Sequence, residues 1–105
     1  MTKKFRSFLV LAVAASLAGT VGFAQSSGEA TYKAKCQMCH GATGTPSAGM
    51  AKAMGIKAVS DPDIQKLTAA QEFDAVKNGK GKMKPIAGLT DAQIKDAVAF
   101  YRGLK

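Results

Sequence analysis

The chain has 105 residues, 47% hydrophobic and 21% charged, with a formal net charge of +8; this is the composition of a folded chain with room for one domain and excludes a disordered one. No interleaving of aromatic and basic residues accompanies the positive charge, which speaks against nucleic acid as a partner. With two cysteines in total, only one disulfide could form, and its loop is too short to restrict the unfolded chain much.

The N-terminus opens with Lys3, Lys4 and Arg6, continues through an apolar stretch from Phe8 to Val21, and offers the small residues Gly22 and Ala24. That is the plan of a secretory signal peptide over residues 1–24, cut after Ala24. An uncleaved anchor is the alternative, but the stretch is shorter than the roughly 20 apolar residues that cross a bilayer and is broken by small polar ones. No membrane span is expected after cleavage. The domain expected to remain, 25–105, carries 12 basic and 7 acidic residues, a net charge of +5. A domain so small buries little apolar surface and calls for a metal, a cofactor or another staple.

Ser26 and Glu29 stand at capping-box spacing, and nothing breaks a helix before Cys36, so a first helix is expected to run to about Cys39. Gly41–Gly49, with three glycines and a proline, reads as an irregular loop. Met50–Met54 makes a helical turn before Gly55, and Ile56–Val59 is left open. Ser60-Asp61-Pro62-Asp63 is a helix start, and Thr68 with Gln71 caps a helix that runs to Asn78 and stops at Gly79, with Phe73 and Val76 facing inward. Residues 79–85, punctuated by two glycines and a proline, form an exposed loop with one methionine, Met83. Thr90 and Gln93 cap a last helix on which Ile94, Ala97, Val98 and Tyr101 recur at helical spacing. The expected fold is all-α, three or four helices joined by long loops that wrap a ligand.

Cys36-Gln37-Met38-Cys39-His40 has the spacing of a c-type haem attachment site. Thiols one helical turn apart can reach two vinyl groups on one side of a porphyrin, and the next residue projects an imidazole toward the iron. A thioredoxin-like dithiol or half a zinc site are the alternatives. The first needs a β-α-β setting that is missing, and the second needs ligands beyond His40, the only histidine. Met38 lies inside the attachment loop, while Met50 and Met54 sit at helical spacing as packing residues.

From Gly28 to Leu104 the chain resembles the class I c-type cytochromes of the short bacterial kind. The resemblance is carried by Gly28, Tyr32 and Cys36, each four residues from the next, by the haem motif, by Met83 in its glycine-containing loop, and by Val98–Leu104. It implies one covalent haem c, held by thioethers from Cys36 and Cys39, with His40 and Met83 as the axial iron ligands. Lys84 stands between Met83 and Pro85, where many relatives have the proline directly after the methionine. The resemblance further implies that Phe100 or Tyr101 crosses the first helix, with Gly28 permitting close approach, and that the Pro46 carbonyl accepts the second N–H of His40. The function implied is that of a periplasmic monomer carrying single electrons between a redox donor and an acceptor, not that of an enzyme. Lys33, Lys35, Lys80, Lys82 and Lys84 would steer acidic docking surfaces, although a solvated lysine surface is the plain alternative. If Met83 did not ligate, an open iron position would instead suit gas binding or peroxidatic chemistry.

Overall fold

The computed structural model describes residues 27–104; the expected leader, its cleavage site and the capping role of Ser26 lie outside them. The described chain is helical, with a lone bridge between Lys80 and Met83 and no strand. Helix α1 covers 27–35 and is followed by α2 (Gln37–His40), α3 (Ala48–Met54), α4 (Pro62–Gln65), α5 (Ala69–Asn78) and α6 (Asp91–Arg102). Three of the six are short, which accounts for the difference from the three or four helices expected.

Local chemistry sets most of these boundaries. In α5 the Thr68 hydroxyl accepts from Gln71 N at 3.1 Å while Gln71 returns the bond to Thr68 N at 2.9 Å. Thr90 and Gln93 do the same for α6, at 3.1 and 2.8 Å. Each box satisfies two of the backbone groups that a helix start leaves unpaired. Asp61 caps α4 through Asp63 N at 2.9 Å, with Pro62 in the first turn where its missing N–H costs nothing. The loop expected over Gly41–Gly49 is shorter than expected, because Ser47 accepts from Met50 N and opens α3 at Ala48. A Cβ on Gly49 would meet nothing within 4 Å and its φ is not positive, so it does not break that helix.

The core forms where α1 and α6 cross and where α5 packs on α6. A Cβ on Gly28 would stand 2.2 Å from the Asp96 carbonyl oxygen and 3.3 Å from Phe100 Cβ, so the close approach expected at Gly28 is made. The buried apolar side chains are Tyr32, Val59, Ile94, Ala97 and Val98. Val59 belongs to the segment left open by the sequence; it donates its N–H to Gly44 O at 2.8 Å and packs where Gly44 has no side chain. The inward face of α5 differs from the expectation: Glu72 is buried, and Phe73 and Val76 are half-buried. No helix among the described residues is long and apolar enough to cross a membrane.

Candidate functional site

Cys36 sits at a one-residue turn between α1 and α2, so the single helix expected to run to Cys39 is interrupted there. Its backbone continues the helical bonding, donating to Tyr32 O at 2.9 Å and accepting from His40 N at 3.0 Å. Cys36, Cys39 and His40 therefore share one turn of chain, and all three are half-buried. Met38, between the cysteines, is 87% exposed, which agrees with a place in the attachment loop and not with ligation.

Gly41 ends this turn at φ +84, and a Cβ there would fall 2.0 Å from the Thr45 carbonyl oxygen. Only glycine lets the 45–46 segment close over the residue after His40. A contact that the sequence did not reveal holds the same point: the Tyr32 hydroxyl donates to the Gly41 carbonyl at 2.6 Å. Tyr32 is 1% exposed, with ring centroids 5.3 Å from Phe100 and 6.0 Å from Tyr101. Both aromatic residues of α6 thus meet α1. Burial pushes the Tyr32 phenol up to about 12, which keeps it a neutral donor.

The His40 ring meets the Tyr101 ring edge-on at 5.5 Å. Its Nδ1 is buried without a hydrogen-bond partner, so the contact expected with the Pro46 carbonyl is not made. Burial lowers the His40 pKa and favours the neutral ring with a free lone pair. Burial, and then Cys39, raises the Cys36 thiol, the reverse of the lowered thiol in a dithiol oxidoreductase. Among the described residues no three His, Cys, Asp or Glu side chains cluster as a metal site.

Met83 lies on a tight loop. Lys80 N donates to Met83 O at 2.9 Å and Met83 N to Lys80 O at 3.0 Å, while Ile86 N donates to Val76 O of α5 at 2.9 Å. Gly79 at φ +83 lets Met83 O and Pro85 pack where a side chain would stand, each 2.9 Å from a Cβ position. Lys82 reaches Ala53 O at the end of α3 at 3.3 Å. The intervening Lys84 therefore leaves a defined loop, with Met83 half-buried.

These residues fit a haem. A half-buried imidazole, its pKa lowered by burial, follows directly on two thiols one turn apart. The protein's own core is small, and Phe73, Val76, Met83, Ile86, Leu89 and Leu104 remain only half-buried, an apolar surface suited to a flat hydrophobic cofactor.

Sequence missed a second polar feature, the ion pair between Glu72 and Arg102 at 2.7 Å. The available signal was helical period: Glu72 precedes Phe73 by one residue and Val76 by four, so it flanks the face read as apolar.

Comparison with known proteins places these features in a family. Residues 23–100 match the family model described as cytochrome c oxidase, cbb3-type, subunit III. Cytochrome c-555 of Chlorobaculum thiosulfatiphilum is 38% identical over 86 residues, covering 74% of this chain and 93% of that protein. Among solved structures, the KustC0563 c-type cytochrome superposes with a TM-score of 0.66 at 27% identity, covering 74% of this chain and 96% of that one. The chain belongs to the family of that model: it is a small monohaem class I c-type cytochrome, an electron-transfer protein that uses covalently bound haem c and not an enzyme.

Proposed function

We propose that the chain is made with a cleaved leader over residues 1–24 and that the domain 25–105 works in the periplasm as a monomeric one-electron carrier between a redox donor and an acceptor. Cys36 and Cys39 hold the haem through thioethers, and His40 and Met83 are the axial iron ligands. The observation that carries this reading is the helical turn Cys36–His40, which presents two thiols and a half-buried imidazole from one short segment.

When bound, haem c supplies an iron that changes by one electron, with no bond made or broken in a substrate. The protein's residues prepare for that task. Burial keeps His40 neutral, and the Tyr101 edge and the Tyr32 bond to Gly41 hold its ring and its backbone. The Lys80–Met83 bridge fixes the backbone that presents the thioether. A histidine and a soft thioether together favour reduced iron and suit electron transfer over ligand activation. Lys35, Lys80 and Lys84 are exposed, whereas Lys33 is paired with Glu29 at 2.9 Å. The free lysines support docking to acidic partner surfaces.

Absorption spectra of wild type and Met83→Ala, matured with a haem-attachment system, test the assignment. Expected are sharp reduced-state bands, a haem that resists acid-acetone extraction, and a long-wavelength sulfur-to-iron band that the substitution removes. A high-spin wild type would replace the carrier by a ligand-binding haem protein, and failure to attach haem would sink both.

A further inference from the structure

Glu72 is a buried carboxyl group that electron carriage alone does not use. It is 8% exposed and is the buried charged side chain of the described residues. Its Oε1 accepts from Arg102 Nη1 at 2.7 Å, and the same nitrogen also donates to Leu67 O at 2.8 Å. Its Oε2 is buried and has no partner. The group lines a cavity of about 350 Å³ with Val59, Ile64, Gln65, Arg102 and Gly103. A carboxylate with one oxygen unpaired beside Val59 and Ile64 is costly, and a proton on that oxygen relieves the cost.

Glu72 is also connected to the iron-binding turn. Arg102 follows Tyr101 on α6, and the Tyr101 ring touches the His40 ring edge-on. The adjacent α6 residues Arg102 and Tyr101 thus touch the carboxyl group on one side and the residue proposed to ligate iron on the other. We propose that Glu72 is a redox-linked proton site, which binds its proton more tightly when the protein has accepted an electron from its donor and less tightly once the electron has left.

The physical reason is charge. Oxidised iron carries one more positive charge than reduced iron, so a nearby carboxylate is stabilised in the oxidised protein and binds a proton more tightly in the reduced one. Reduction therefore draws a fraction of a proton onto Glu72 near its midpoint, and oxidation releases it. By linkage the effect is reciprocal, so the potential falls as Glu72 loses its proton. Burial raises the Glu72 carboxyl despite the opposing Arg102 charge. Among the groups facing Glu72, Arg102 stays charged and Tyr101, pushed up to about 12 by burial and then by Glu72 itself, stays neutral. Glu72 is the one of the three whose carboxyl group is raised from the ordinary acidic range.

The inference rests on the haem assignment above, and its test separates the two. Protein shown to hold covalent low-spin haem is titrated from pH 5 to 9 by spectroelectrochemistry as wild type, Glu72→Gln and Arg102→Gln. The chain has two glutamates, Glu29 and Glu72, so ¹³C labelling of the glutamate side-chain carboxyls also follows Glu72 directly in wild-type protein. Expected is a carboxyl proton affinity about fivefold higher in the reduced state, the low end of ordinary couplings. That corresponds to a potential drop of about 40 mV across the titration, at 59 mV per tenfold for one electron. Glu72→Gln removes this component, and Arg102→Gln moves it to higher pH. A Glu72 carboxyl with the same midpoint in both redox states overturns the proposal even if the variants fail to fold, and so does a pH dependence that survives Glu72→Gln. Neither result touches the haem assignment.

Discussion

The crossing of α1 and α6 should be intolerant of a single methyl group at Gly28. In Gly28→Ala the new Cβ meets the Asp96 carbonyl oxygen at 2.2 Å, its carbon at 2.8 Å and Phe100 Cβ at 3.3 Å. Two of these atoms are helical backbone and cannot rotate away, so the helices must separate along the contact that buries Tyr32 and Ala97. Overpacking of this kind costs about 3 kcal/mol, partly offset by about 1 kcal/mol from alanine's better helix propensity. The expected net loss is about 2 kcal/mol, which lowers Tm by roughly 8–16 °C in a domain of this size. Gly49→Ala is the matched control, because it lies in α3 with nothing within 4 Å and no positive φ; a gain of about 0.5–1 kcal/mol is expected there. Thermal and urea unfolding of both holoproteins, followed by far-ultraviolet circular dichroism, measures the contrast. A Gly28→Ala protein as stable as wild type would refute the reasoning that the crossing is set by backbone contact.

Tyr32→Phe keeps the ring between Phe100 and Tyr101 and removes only the hydroxyl bond to Gly41 O; a loss of about 1 kcal/mol in urea unfolding is expected. Thr68→Ala and Thr90→Ala each remove one arm of a capping box and should each cost about 1 kcal/mol, additively because the caps share no partner. Glu72 has a folded-state pKa raised above its ordinary value of 4.5. Its contribution is therefore fully present below that value and is lost as pH rises through the folded pKa. The stability of wild type relative to Glu72→Gln should accordingly fall as pH rises from about 4.5 through the folded pKa, measured by urea unfolding at fixed ionic strength; a difference that rises with pH would reverse the sign of the argument.

Much of the site and of the helix plan was legible because its signals are local. A cap acts within four residues, and the thiols and the imidazole of Cys36–His40 lie within one turn, so the order of types in the chain already states the geometry. The same locality explains the misreadings. Gly49 looked like part of a loop because composition does not show that its φ is ordinary, and Ser47, three residues before Met50, was the signal for α3. Phe73 and Val76 were read as the inward face of α5 from polarity, whereas the turn of the helix carries Glu72 inward as well.

Sequence by itself determined the attachment motif, the capped helices, the glycine that α1 needs at its crossing and the loop that holds Met83. Tertiary structure alone decided that the Tyr32 hydroxyl reaches Gly41, that Val59 fills the space beside Gly44, and that Glu72 of α5 meets Arg102 of α6. The reason is separation along the chain: Glu72 and Arg102 are 30 residues apart, and no periodicity within either helix says which residue of another will face it. That is settled only when α1 and α5 pack against α6, and the same packing buries a carboxyl group that the sequence presents as one more surface charge.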